Sequence, residues 1–204
     1  MLGVALRFRL VFAPEFDERE PSERRIVKFL PEEQLLRKAA ETPGSQAASR
    51  TCEACFYAGG KRLAEGDKAA AVALFRRSVA TGRRHLPEYD CAVSDLRRLL
   101  FGSYAAPVPK AARGGLPLKE GVGLAVSRVA QRGPAAGAGL RDGDVLASIA
   151  GKDASREELL RLLTEGKIGE KVRIEFIRQG QRQAADLALG VWTPPPREEG
   201  DTDF

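Results

Sequence analysis

The chain has 204 residues, 43% of them apolar and 30% charged, proportions ordinary for a folded domain or two small ones. No apolar run approaches the roughly 18 residues that span a bilayer, and a net charge of +5 favours anionic partners without naming one. Three cysteines, Cys52, Cys55 and Cys91, cannot form a fully paired disulfide framework.

Leu2, Val4, Leu6, Phe8, Leu10 and Phe12 recur with period two, which predicts a β-strand over residues 1–16 rather than a secretory leader, since Arg7 and Arg9 interrupt its apolar core. A charged connector with Pro21 follows, then a short helix from about Ser22 to Leu30. Pro31, Glu32 and Glu33 open another helix that runs to about Ala40, with its acidic residues at the positive end of the helix dipole. Helical spacing continues from Gln46 to Leu100. Glu65-Gly66-Asp67 supplies a C-cap and the next N-cap, and so predicts a tight helix pair. A further helix, opened by Pro87, carries Tyr89, Ala92, Val93, Leu96 and Leu99. These residues predict a helical domain over 22–101.

Residues 102–118 hold Pro107, Pro109, Pro117, Gly102, Gly114 and Gly115, and predict an extended linker. Gly121-Val122-Gly123-Leu124-Ala125-Val126 then predicts a strand entered through a glycine turn. Pro134 to Leu140 and Asp142 to Gly151 follow, then a helix from Ser155 to Leu163. Two strands, Lys171–Arg178 and Gln183–Leu189, come next, joined by Gln179-Gly180-Gln181-Arg182. Pro194-Pro195-Pro196 and the acidic end predict a disordered tail over 192–204.

The order Pro134-Ala135-Ala136, Ala138-Gly139-Leu140, Gly143-Asp144-Val145-Leu146 and Gly151 resembles a PDZ domain of the bacterial protease type, over 119–191. Residues 52–82 resemble one tetratricopeptide repeat: Gly59 and Ala71 fall at its small positions and Phe75 at an aromatic one. Cys55, Arg62 and Arg83 depart from its usual tryptophan, tyrosine and proline. The expected fold is therefore α+β, a small all-α TPR-like hairpin module linked to a PDZ-like, partly open β-barrel with flanking helices. By resemblance the source is bacterial; the sequence as written reads as cytoplasmic, and the resemblance makes the cell envelope a possible compartment.

The PDZ resemblance implies a peptide-binding groove. Inward-pointing amides of a glycine-rich turn can hold a carboxylate, and an extended peptide can add to a free strand edge. On this pattern the amides of Val122, Gly123 and Leu124, after Gly121, would take a ligand's C-terminal carboxylate. Val122, Leu124 and Val126 would line the pocket and edge, with Ala125 in the same strand; Ser155 falls where many family members carry a histidine, and Leu159 and Leu162 would face the peptide from the helix while Leu160 and Leu163 go to the core. The chain's own Thr202-Asp203-Phe204 end has the form of such a ligand.

No catalytic set is apparent: His85 is the sole histidine and no Gly-x-Ser-x-Gly occurs. No cofactor or metal is expected, because Cys52 and Cys55 lack further ligands. Arg76, Arg77, Arg83, Arg84, Arg97 and Arg98 make the helical half basic, but without interleaved aromatics they imply no specific nucleic acid. The expected function is a non-catalytic adaptor whose groove takes a C-terminal or extended peptide and whose helices take a second protein. Two alternatives are a regulatory or substrate-recognition component of a bacterial protease system with catalysis on another chain, and a scaffold whose groove is closed by its own N-terminal strand or C-terminal tail.

Overall fold

The computed structural model describes residues 31–192. The strand expected over 1–16, the helix expected from Ser22 and the tail from 193 onward lie outside them. Four helices come first: α1 (Glu32–Glu41), α2 (Ala47–Ala64), α3 (Lys68–Ala80) and α4 (Pro87–Leu100). Helices α2 and α3 pair along their length across the expected turn. There Gly66 takes a positive φ of 86°, and the Asp67 side chain accepts the Ala70 amide at 3.1 Å. Gly59 is required where they cross, because a Cβ there would lie 2.7 Å from the ring of buried Phe75. Cys52 and Cys55 are packed between these helices, with Cys52 Sγ 3.3 Å from Ser78 Oγ, and burial pushes the Cys55 thiol above its ordinary range.

The second half is built on six strands: β1 (Tyr104–Pro107), β2 (Leu124–Ser127), β3 (Val145–Ile149), β4 (Lys152–Asp153), β5 (Lys171–Arg178) and β6 (Gln181–Ala188). Two helices accompany them, the single turn α5 (Pro134–Gly137) and α6 (Arg156–Glu165). Every pairing is antiparallel and the order is β1-β2-β3-β5-β6, with β4 against β3. The hairpin between β5 and β6 turns on two residues, Gln179 (φ 51°) and Gly180 (φ 78°), rather than on the four expected. Two central residues at positive φ make the tight turn that matches strand twist. Asp144, 1% exposed, takes two bonds from Arg178 (2.8 and 2.7 Å) and one from the Arg141 amide. This pairing is what makes a buried carboxylate tolerable, and it fixes the Gly143-Asp144-Val145 turn against the start of the β-hairpin.

One expectation changes here, and one question the sequence leaves open is answered. First, the segment expected as an open linker contributes β1, whose four residues pair with β2 in the register Tyr104↔Ser127 to Pro107↔Leu124. It also forms a 3-10 turn at Lys110–Ala112. Arg113 holds this segment in place by donating to the carbonyls of Val108, Lys119 and Val122. Second, the halves are not separate. Phe75, Leu96 and Leu99 share one buried cluster with Leu124, Leu159, Leu162, Leu163 and Leu187. The covering helices α3 and α4 lie on α6. Arg76 Nε donates to the Leu163 carbonyl at 2.9 Å and its Nη2 to the Gly166 carbonyl at 2.6 Å. Burial holds the Arg76 guanidinium below the ordinary arginine range, so the two carbonyls replace its lost water.

Arg76→Ala removes both bonds and strands two carbonyls at the junction. We expect a loss of about 2–4 kcal/mol, as for hydrogen bonds to a charged group. Urea unfolding should show one transition at a lower midpoint. An unchanged midpoint would mean that the bonds contribute nothing net.

Candidate peptide-binding surface

The residues expected to make the groove are brought together, but not as a groove. Gly121 (φ 79°) and Gly123 (φ 113°) do turn the chain. However, the Val122 amide is spent on the Lys119 carbonyl (3.2 Å) and the Gly123 amide on the Ala154 carbonyl (2.8 Å). Leu124, Ala125 and Val126 lie in β2, which has β1 on one side and β3 on the other. The Val126 amide donates to Asp144 O at 2.8 Å. An interior strand has no margin to offer, so the turn at 121–123 cannot seat a ligand's carboxylate beside a vacant edge. Gly123 is there for packing: a Cβ would lie 2.8 Å from Leu118 Cδ1 and 3.3 Å from Val145 Cγ1.

The α6 residues also differ from expectation. Ser155 is the N-cap, its Oγ accepting the Glu158 amide at 3.1 Å. Leu159 and Leu162 are 2% and 8% exposed and belong to the shared core with Leu163. They are covered because α3 and α4 rest on this helix, so no apolar pocket is left for a peptide side chain there. Leu160, expected in the core, is only half-buried.

The margin that is vacant belongs to β1. No other described strand pairs with it on its outer side. The Val108 amide donates to Gly123 O, so by antiparallel alternation Ala106 and Tyr104 also face β2, while Ala105 and Pro107 face outward. Ala105, itself only 5% exposed, therefore turns an N–H and a C=O away from β2, and exposed Pro107 only a C=O. Upstream, α4 runs directly into this strand. The Phe101 and Gly102 amides are both taken by the Arg97 carbonyl at 3.0 Å, and Gly102 sits at φ 72°. The Arg97 side chain turns over the ring of Tyr104, 5.2 Å from its centre. Tyr104 is one of two large apolar side chains left exposed among the described residues. Burial depresses the Arg97 guanidinium, the Tyr104 phenol opposes this, and Arg156 in the first turn of α6 adds to it. Arg97 and Arg156 thus feel each other, and neither has an acidic partner among the described residues. Arg97 Nε and Ser103 Oγ are buried with no hydrogen bond among them.

The other basic residues are dispersed. Arg76 is committed to α6, Arg83 donates to the Ser45 carbonyl, and Arg98 pairs with Asp95. The described residues contain no cluster of histidine, cysteine and carboxylate that could hold a metal, and no helix among them is long and apolar enough to cross a membrane.

Reading the sequence missed β1 and Arg97. The available signal was Phe101-Gly102-Ser103-Tyr104, a glycine between aromatic residues at the end of a helix, followed by the apolar Ala105 and Val108, both buried. The prolines at 107 and 109 concealed it.

Residues 93–189 match the family model described as "PDZ domain", and the chain carries a PDZ domain. The match begins within α4, upstream of the start expected at 119. The domain is homologous to those of DegP-like proteases. The "Probable periplasmic serine endoprotease DegP-like" of Pseudomonas putida is 40% identical over 75 residues, covering 36% of this chain and 16% of that protein. Its namesake in Pseudomonas fulva is 35% identical over 85 residues, covering 41% and 17%. Among solved structures, "HtrA-type protease AlgW with tripeptide" aligns at 30% identity with a TM-score of 0.39, covering 46% of this chain and 32% of that one. The chain thus spans about a sixth of the length of the curated relatives it matches.

Gly123→Ala would place a side chain at a φ that disfavours it and against Leu118. The expected cost is about 1–3 kcal/mol of stability, read as a lower Tm. Peptide affinity should be unchanged, because the turn touches no ligand; a selective loss of affinity at full stability would return the site to β2.

Proposed function

We propose that this chain is a non-catalytic recognition component that takes an extended peptide along the outer margin of β1. The observation that carries the reading is the combination at that margin: a strand with one side unpaired by any other described strand, and beside it Arg97 and Arg156, which have no acidic partner among the described residues, near exposed Tyr104. An added strand bonds to the Ala105 main chain, and a carboxylate at the peptide's end or on a side chain neutralises the arginines, as in other strand-addition modes. Since α6 offers no apolar pocket, binding relies on main chain, Tyr104 and charge.

The relatives are named as periplasmic serine endoproteases, and the part of them that this chain resembles is the PDZ region. That supports a regulatory or substrate-recognition role in a protease system of the cell envelope, with peptide-bond cleavage on another chain. The helices α2 and α3, with the repeat-like positions Gly59, Ala71 and Phe75, serve as a second protein-binding module. The burial of Leu159 and Leu162 beneath α3 and α4 favours a second reading, in which the helical half occludes the groove and its release exposes α6.

The test titrates a fluorescent peptide with a hydrophobic, carboxylate-bearing C-terminus into wild-type chain and Ala105→Pro. Proline removes the one outward N–H of β1 without breaking a bond to β2, and edge strands accept it. Affinity should fall about tenfold or more, since the lost bond and the proline ring both oppose the added strand. Amidation of the peptide end should weaken binding further. Equal binding by wild type and Ala105→Pro would sink the β1 assignment. Peptide hydrolysis by the purified chain would sink the non-catalytic reading.

A further inference from the structure

The opposite margin of the sheet carries a different signal. β6 is the other terminal strand, eight residues long and paired with β5 throughout. In a two-residue hairpin the residues flanking the turn form a hydrogen-bonded pair, so Gln181, Gln183, Ala185 and Leu187 bond toward β5. Arg182, Ala184, Asp186 and Ala188 therefore direct their N–H and C=O groups outward, and no other described strand pairs with them. Of the devices that blunt an exposed edge, β6 carries no proline, bulge or inward-pointing charge; it carries Arg182 and Asp186, α5 packs beside its far end near Asp186 and Ala188, and its side chains at 182, 184, 186 and 188 are all exposed.

We propose that β6 pairs antiparallel with β6 of a second copy of this chain, about a twofold axis at Ala184. The charges select this register. With Ala184 opposite Ala184 of the second copy, Arg182 stands opposite the second copy's Asp186, and Asp186 opposite its Arg182. The three pairs 182/186, 184/184 and 186/182 join only residues whose main-chain groups point outward, so each pair can exchange two hydrogen bonds. Centring the axis on residue 182 or 186 instead sets like charges directly opposite each other, which is unfavourable.

The existing ion pairs extend the pattern. Arg173 Nη1 lies 3.2 Å from Asp186 Oδ1, and Arg182 Nη1 lies 2.8 Å from Glu175 Oε2. Across the joint the order becomes Arg173, Asp186, then Arg182 and Glu175 of the second copy, alternating in sign. This isologous arrangement needs one surface that is complementary to itself. In this register the second copy's Gly180 stands opposite Ala188, beside an open cleft of about 410 Å³ lined by Pro134, Asp186, Ala188 and Trp192, which has room for the incoming hairpin turn.

The experiment is sedimentation equilibrium of the full chain over a concentration series, with three variants. Wild type should show a reversible monomer–dimer equilibrium. Ala184→Pro removes one donor from each copy at the axis while leaving the bonds to β5 intact, and should raise the dimer dissociation constant by ~30-fold or more. Arg182→Glu and Asp186→Arg should each be monomeric alone, yet an equimolar mixture should dimerise, because the heterologous pair restores both opposite-charge contacts. Monomer at every wild-type concentration would overturn the proposal. So would a dimer indifferent to Ala184→Pro and to charge, or dimerisation only after deletion of residues 1–16, which would mean the chain's own first residues cover this edge.

Discussion

Arg76 reaches from α3 to the last carbonyls of α6, and the arrangement of both halves follows from that contact. A helix ends with carbonyls that have no partner within it and with a partial negative charge. A guanidinium placed there satisfies both demands at once. Its two bonds hold α3 and α4 over the apolar stripe of α6, which then becomes part of a continuous core rather than one wall of a groove. The helical half therefore supplies the cover that makes Leu159, Leu162 and Leu163 interior residues.

The same continuity explains β1. The chain leaves α4 at Leu100 with no slack: Phe101 and Gly102 cap the helix through the Arg97 carbonyl, and the next residues enter the sheet. The strand that results fills the outer side of β2. It transfers the vacant margin to itself, next to the arginines of α4 and α6. What would be an interdomain linker in a looser protein is here a structural strand.

Much of the second half was legible in the sequence. Lys171–Arg178 alternates cleanly, and the helix expected from Ser155 to Leu163 coincides with α6 to within two residues. These are local signals, and the structure uses them locally. The choice of edge strand was not legible, because Gly121-Val122-Gly123 has the composition of an anion-holding turn while its amides are spent on Lys119 and Ala154. Partners distant in sequence decide what such a turn does. Nor could Leu159 and Leu162 be sorted into groove and core from spacing alone: both faces of α6 lead to apolar neighbours, one of them from helices some 60–90 residues upstream. Prolines at 107 and 109 argued against a strand, yet an edge position tolerates the first of them because its missing N–H would have pointed to solvent.

That proline sets a time scale. With no donor at 107, an added strand can be gripped through little more than the main chain of Ala105, and a short ladder lets go quickly. Differences in affinity between related complexes lie mainly in their dissociation rates, so a guest on β1 would be sampled and released many times. On the proposed reading, a surface of this kind would survey passing chain ends without retaining them and stay available for the next.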